Sequence, residues 1–358
     1  MDSLRTLKVL VSVFAFSPIK GSEFAMGWDY VRAIAEDHRV WVIARTNERE
    51  ETEQFLRDHP DAMPNVTIHY VPWSKSSFAY PLCEIPYYFM FRNWQWRAYR
   101  RAVELDKQIG FDIVHQAIPS GFREPGFLWK IDKPFVWGPV GGLQYFPLRL
   151  LSAVPLRSRA FFVVKNITTF WAMHGSRRPR IAAAKASAII AGTALAAKRI
   201  NALWGKDAQV LCEVSAPVLS PVAPPARRRP GEAFRIVWSG RFEPRKALNI
   251  VLLALHRLRE SNFDWELTCL GTGPLLQAWQ ALARELGIAN RCRFLGQIPR
   301  KEAIAVMASG HCFVQPSLYD ATTSVVVEAL AMGLPVVCLD HFGFRDVVDE
   351  SCGIRIKP

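Results

Sequence analysis

The stretch Phe234-Arg235-Ile236-Val237-Trp238-Ser239-Gly240-Arg241-Phe242-Glu243-Pro244-Arg245-Lys246 decides the fold. An apolar run ends at Ser239, Gly240 permits a tight turn, and a helical pattern starts at Ala247. The same grammar then repeats: strand Glu266 to Leu270, helix Pro274 to Leu286, strand Arg293 to Leu295, helix Arg300 to Ser309, strand Cys312 to Gln315, helix Thr323 to Met332, strand Pro335 to Leu339. Strands alternating with helices predict a parallel sheet covered on both faces.

Upstream the pattern is the same. Leu7 to Phe14 reads as a strand, Glu23 to Asp37 as a helix, Arg39 to Ala44 and Val66 to Tyr70 as strands, and Tyr87 to Ile109 as a long aromatic helix. Strands follow at Asp112 to His115, Pro134 to Trp137, Ala188 to Ala191 and Gln209 to Glu213. Between the halves, Ala216 to Gly231 carries Pro217, Pro221, Pro224, Pro225 and Pro230 with the run Arg227-Arg228-Arg229, which packed strands and helices exclude. The expected organisation is α/β: a Rossmann-like domain over residues 1–215, a linker over 216–233, and a second Rossmann-like domain over 234–358, facing each other across a cleft.

With 358 residues, half of them hydrophobic, the chain can bury the cores of two domains. Its 45 Lys and Arg against 32 Asp and Glu leave a net charge of +13, which favours an anionic partner: nucleic acid, a phosphorylated ligand or an anionic membrane. Cys83, Cys212, Cys269, Cys292, Cys312, Cys338 and Cys352 stand singly, several in apolar runs, as expected of reduced thiols in a cytoplasmic protein and not of a zinc or disulfide framework. The apolar stretch Val9 to Phe16 lacks a small-residue cleavage site and runs into Pro18 and Gly21, which argues against a secretory leader. No run approaches the roughly 20 apolar residues of a membrane span.

Chemistry concentrates in Pro316-Ser317-Leu318-Tyr319-Asp320-Ala321-Thr322-Thr323-Ser324-Val325-Val326-Val327-Glu328 and its continuation to Pro335. From Ala321 to Leu339 the only charged residue is Glu328, in a helix apolar on nearly every side, with Thr322 or Thr323 as N-cap and Gly333 after its end. A buried carboxylate needs donors: vicinal ribose hydroxyls would serve, and so would an internal Arg or a backbone amide. Asp320 precedes the helix at the carboxyl end of a strand, where open α/β sheets bind ligands, and the free amides of Ser324 and Val325 suit a phosphate. Asp320 as a simple loop or capping residue is the alternative. Arg241 and Lys246, five positions apart across the first strand-to-helix loop of the second domain, can converge on one diphosphate, or can form a solvated basic loop. Leu270-Gly271-Thr272-Gly273-Pro274 is compatible with any tight turn.

In order and spacing these residues resemble the retaining glycosyltransferases of family 4, also called group 1, which have the GT-B fold. The family's E-x7-E signature stands here as Asp320-x7-Glu328, followed by Ala329-Leu330-Ala331-Met332-Gly333-Leu334-Pro335-Val336-Val337, with Asp departing from the usual first Glu. Softer similarity covers Gly21-Ser22-Glu23, Phe111-Asp112-Ile113-Val114-His115 and Trp137-Gly138-Pro139-Val140-Gly141-Gly142. The resemblance implies that Asp320 meets the donor sugar, Glu328 the ribose, Arg241 and Lys246 the diphosphate, and Gly296 to Ile298 the base. His115 would face the sugar or serve as an internally bonded strand-end histidine; the position where many relatives carry a second histidine is Ala117. Gly21 and Ser22 would approach the donor phosphates and acceptor, or form an ordinary turn and N-cap. The chain stops at Pro358 where relatives continue through further helices, so the second domain is expected to be cut short.

The implied reaction is retaining transfer from a nucleoside diphosphate sugar to a glycan or lipid-linked acceptor. With no D-x-D pair in the chain, neither a metal nor another cofactor is expected. Arg149, Arg157, Arg159, Lys165, Arg177, Arg178 and Arg180 lie among Leu, Phe and Trp between Phe146 and Arg180, which suits peripheral docking at the inner face of an anionic membrane, or core helices with a basic face. Competing readings are a GT-B-like epimerase or phosphorylase, a catalytically silent relative, and a non-enzymatic anion or nucleic-acid binder. The last lacks a recognisable nucleic-acid module, so no nucleic-acid partner is expected.

Overall fold

The computed structural model describes residues 5–73, 85–214, 228–258, 261 and 263–358. Cys83 and linker residues 216–227 lie outside them. The chain forms two compact units, one of residues 1–143 with 171–215 and the other of residues 144–170 with 216–358. Residues 144–170, expected in the first domain, belong to the second unit. There Phe146, Val154 and Phe162 share a cluster with Ala247, Leu318 and Leu339, and Asn249 Nδ2 donates to the Ala153 carbonyl at 3.0 Å. The apolar residues of this segment are buried against neighbours nearly 100 positions away, which local pattern does not reveal.

In chain order the first unit holds β1 (Lys8–Ser12), α1 (Glu23–Ala35), β2 (Arg39–Arg45), α2 (Arg49–Asp58), β3 (Val66–Val71), α3 (Ile85–Ile109), β4 (Ile113–Gln116) and β5 (Phe135–Val140). Then follow α4 (Leu156–Gly175), which passes from the second unit into the first, α5 (Arg177–Lys185), β6 (Ala188–Ala191), α6 (Ala194–Trp204) and β7 (Gln209–Val210). Its sheet has the order β3-β2-β1-β4-β5-β6-β7. Val9, Leu10, Val11 and Ser12 of β1 are all buried, as a central parallel strand covered on both faces requires.

The second unit contributes β8 (Phe234–Ser239), α7 (Leu248–Arg257), β9 (Trp265–Leu270), α8 (Leu276–Glu285), β10 (Cys292–Gly296), α9 (Arg300–Ala308), β11 (Cys312–Gln315), α10 (Ser324–Ala331), β12 (Val336–Leu339), α11 (Phe344–Val347) and β13 (Gly353–Ile356). Its order is β10-β9-β8-β11-β12-β13, and among the described residues every strand pairing in both sheets is parallel. On one face Trp238, Leu267 and Cys269 pack with Leu248, Leu252, Leu255, Trp279 and Ala283. On the other, Val237, Phe313, Val336 and Cys338 pack with Met307, Val326 and Ala329. Helices therefore cover both faces, and each sheet reverses its winding beside its first strand, between β1 and β4 and between β8 and β11.

The loops leaving β8 and β9 are zipped together by their backbones. Gly240 N donates to Leu270 O at 3.1 Å, Phe242 N to Thr272 O at 3.0 Å, and Leu275 N to Phe242 O at 3.0 Å. This closeness explains the glycine at 271, where φ is +109° and a Cβ would stand 2.2 Å from the Gly240 carbonyl oxygen. Backbone cannot yield as a side-chain tip does. Gly271→Ala is expected to destabilise the protein by about 2–4 kcal/mol, read as a lower urea midpoint at unchanged slope.

Candidate functional site

At the reversal of the second sheet, β8 delivers the loop 240–246 and β11 delivers the loop 316–323. The first loop ends in a tight turn over Pro244–Lys246, followed by Ala247 at φ 47°. The two loops are strapped at Arg245: Leu318 N donates to its carbonyl oxygen at 2.7 Å, and Ser317 Oγ lies 3.2 Å from the same oxygen.

That frame brings Lys246 and Asp320 together. The Lys246 ammonium, buried, donates to Asp320 Oδ2 at 2.7 Å, while Arg245 Nη1 and Ser317 Oγ also donate to the same carboxylate. Burial pulls the Lys246 ammonium below the ordinary lysine range, and the Asp320 carboxylate acts against that pull. Burial also works against the Arg245 charge, but Asp320 and Glu243 outweigh it and hold that guanidinium above its usual value. Arg245 was not selected from sequence. Arg241 was, and its side chain is 72% exposed, with Nε 3.1 Å from Glu243 Oε1. The nearer companion of Lys246 is thus its chain neighbour, because the tight turn sends Arg245 and Lys246 to one carboxylate. The only sequence signal was the Arg-Lys doublet.

After Asp320, Ser324 and Val325 form the first turn of α10, where their amides have no intrahelical acceptor. Thr323 is the N-cap residue, but its hydroxyl makes no capping bond. The hydroxyls of Thr322 and Thr323 and both polar atoms of the Gln315 side chain are buried without a hydrogen-bond partner. Buried polar groups are normally satisfied, so this cluster marks a place for water or a polar ligand. Gly343 allows a neighbouring loop to press on it: a Cβ there would meet Thr322 Oγ1 at 2.1 Å.

Glu328, in the second turn of α10 and mostly buried, accepts from Arg300 Nη2 at 3.0 Å. Its donor is therefore an arginine, and that arginine is half exposed. Gly296, at the end of β10 with φ 69°, lies beside the Gly271 loop through the 2.8 Å bond from Gly271 N to Gly296 O. Ile298 packs against the apolar cluster under α9 and α10.

The other selected residues lie in the first unit, at its own reversal. His115 at the end of β4 is buried; its Nε2 is 2.7 Å from the Gly138 carbonyl and 3.4 Å from Tyr30 Oη of α1. A carbonyl can only accept, so Nε2 carries the proton. Burial pushes the imidazole down to about 4, the Gly138 bond opposing it only in part. Gly21 and Ser22 open α1 in an exposed turn, with Ser22 at φ 60° and making no side-chain cap.

The fold is shared with sucrose-phosphate synthase from Thermosynechococcus elongatus (TM-score 0.62, 16% identity, 99% of this chain and 86% of that one). It is shared equally with HepE of Anabaena in complex with UDP and glucose (TM-score 0.59, 16% identity, 98% and 86%). At such identity these likenesses show the fold alone. In sequence, the chain is 32% identical over 118 residues to the phosphatidyl-myo-inositol mannosyltransferase of Mycobacterium leprae, covering 32% of this chain and 31% of that protein. The chain thus spans about a third of the length of the curated relatives it matches. The profile of the glycosyl transferases group 1 matches residues 223–358, the stretch that holds the Lys246–Asp320 pair and α10.

Proposed function

We propose that this protein moves a sugar from a nucleoside diphosphate sugar to a glycan or lipid-linked acceptor, with retention at the anomeric carbon and without a divalent metal. The observation that carries the reading is the Lys246 and Arg245 pair on Asp320, at the sheet's reversal and one short loop from the free amides of α10. A departing nucleoside diphosphate gathers negative charge, and fixed cations and amides are suited to lowering that barrier. Arg241 adds a further cation on the same loop.

Asp320 already accepts from three donors, and a carboxylate has about four acceptor sites, so one remains for a sugar hydroxyl. Its chief task in this proposal is to fix Lys246. Glu328 is assigned the ribose, with Arg300 released or shared, and Gly296 and Ile298 the base. His115, Gly21 and Ser22, at the reversal of the other sheet, are assigned the sugar and the acceptor. HepE, bound to UDP and glucose on the same fold, supports a donor of this class. The acceptor side is assigned to an anionic membrane surface on the cytoplasmic face, and no nucleic acid is required.

Lys246→Ala is expected to abolish the thermal stabilisation given by the matching donor in a panel of UDP-, GDP- and ADP-sugars, and to lower transfer about 100- to 1,000-fold. A Lys246→Ala protein with full activity defeats the diphosphate assignment. Asp320→Ala leaves two cations without their carboxylate and is expected to cost about 2–3 kcal/mol of stability, more than Lys246→Ala costs. Chemical denaturation of the two variants side by side decides the order.

His115 has a depressed pKa in the folded chain, so the unfolded state binds the extra proton first as pH falls. Its contribution to stability is complete above about pH 6.5 and is lost toward pH 4, by up to about 3 kcal/mol. His115→Gln is expected to flatten the stability profile across that window. Transfer between pH 6.5 and 8 is expected to show no titration from this residue, and a His115-dependent inflection there counts against a neutral imidazole.

A further inference from the structure

Helix α4 turns an apolar face to solvent. Leu156 is 75% exposed, Val164 56%, Ile167 51% and Trp171 67%, and Ala160 between them is exposed as well. Steps of four, four, three and four residues place them on one stripe of the helix. The opposite face carries Phe162, Thr169 and Met173, which are buried. The stripe is therefore not a core face left by chance, because the helix has a core face already. Leu148, Ile167 and Phe170 also border an apolar groove of about 390 Å³ at the foot of α4.

Along the chain on either side of this helix the charge has one sign. From Lys133 to Lys206 there are twelve Lys and Arg and not one Asp or Glu. Arg149, Arg157, Arg177 and Arg180 are exposed, and Lys165 lies 5.7 Å above the Phe161 ring. Among the described residues no helix is long and apolar enough to cross a membrane. An exposed apolar stripe with basic flanks matches a surface whose outer layer is anionic and whose next layer is hydrocarbon. A protein partner would need acidic and apolar patches in register, and water alone leaves this much apolar surface unfavourably hydrated.

We propose that α4 is an interfacial helix that seats on an anionic phospholipid bilayer, with Leu156, Ala160, Val164, Ile167 and Trp171 entering the acyl boundary and Arg149, Arg157 and Lys165 meeting the phosphates. It rests on the membrane part of the functional reading and gives that surface an address. The groove beside Ile167 and Phe170 lies at the same boundary.

The test is flotation of the full chain with vesicles of phosphatidylglycerol and phosphatidylcholine in equal parts, and of phosphatidylcholine alone. Binding is expected on the mixed vesicles and weaker by at least about tenfold on the neutral ones. Val164→Ser/Ile167→Ser, at exposed positions that leave the fold intact, is expected to reduce binding about tenfold, and Arg157→Ala about fivefold. Donor-induced thermal shift, run on the same proteins, is expected to be unchanged by these substitutions. Wild-type protein that stays off mixed vesicles at both low and moderate salt overturns the proposal. So does full binding by the double variant, or a wild-type dimer that this variant splits while vesicle binding persists. A wild type that binds vesicles but no donor sugar leaves α4 as assigned and defeats the transfer reading instead.

Discussion

Each sheet reverses its winding beside its first strand, and the geometry of the candidate site depends on that constraint. Connections from β8 and β11 leave toward helices on opposite faces, so the loops at their carboxyl ends part and leave room for a ligand. Lys246 and Asp320 meet although 74 positions separate them, because β8 and β11 are neighbours in the sheet. β1 and β4 are neighbours in the same way, and there Tyr30 on the helix after β1 reaches His115 at the end of β4.

The charges at the second reversal are not what holds the loops together. The hydrogen bond from the Leu318 amide to the Arg245 carbonyl and the apolar cluster of Phe146, Ala247, Leu318 and Leu339 already join them. Burying two cations and a carboxylate costs desolvation that their attraction at best offsets, so such a group adds little net stability. What it provides is placement. Asp320 fixes the ammonium in place, which in the proposed transfer leaves nothing to reorganise around it when negative charge develops nearby.

Much of this was legible because parallel strands buried on both faces read as continuous apolar runs. Phe234–Ser239, Cys312–Gln315 and Ala188–Ala191 carry the same limits in sequence and structure. Of the elements that escaped, α2 and β13 did so for clear physical reasons. α2 is Arg49-Glu50-Glu51-Thr52-Glu53-Gln54-Phe55-Leu56-Arg57-Asp58, too polar for an apolar period, and β13 is an edge strand whose Ile354, Arg355 and Ile356 are exposed. In the site, residue types were readable and directions were not. Choosing Arg245 over Arg241 required knowing that a tight turn at Pro244–Lys246 faces the 316–320 loop, which is a tertiary fact. The arginine on Glu328 was foreseen as a kind of partner, but Arg300, 28 positions upstream, was not identifiable.

The same backbone device stands at the same topological place in both units. Ser22 is the N-cap of α1, the helix after β1, with φ 60°; Ala247 is the N-cap of α7, the helix after β8, with φ 47°. Positive φ costs a non-glycine residue about 1 kcal/mol, and glycine would remove that cost at either position. Neither residue caps its helix with a side chain: alanine cannot, and the Ser22 hydroxyl does not. The first turns of α1 and α7 thus receive no side-chain cap at the two reversals, with the positive ends of the helix dipoles beside them. Strain that recurs at two unrelated sequences in one topological position belongs to the site's construction. It turns the chain sharply enough for the helix to begin at the carboxyl edge of the sheet, where Lys246 in one unit and the Gly21–Ser22 turn in the other come to lie.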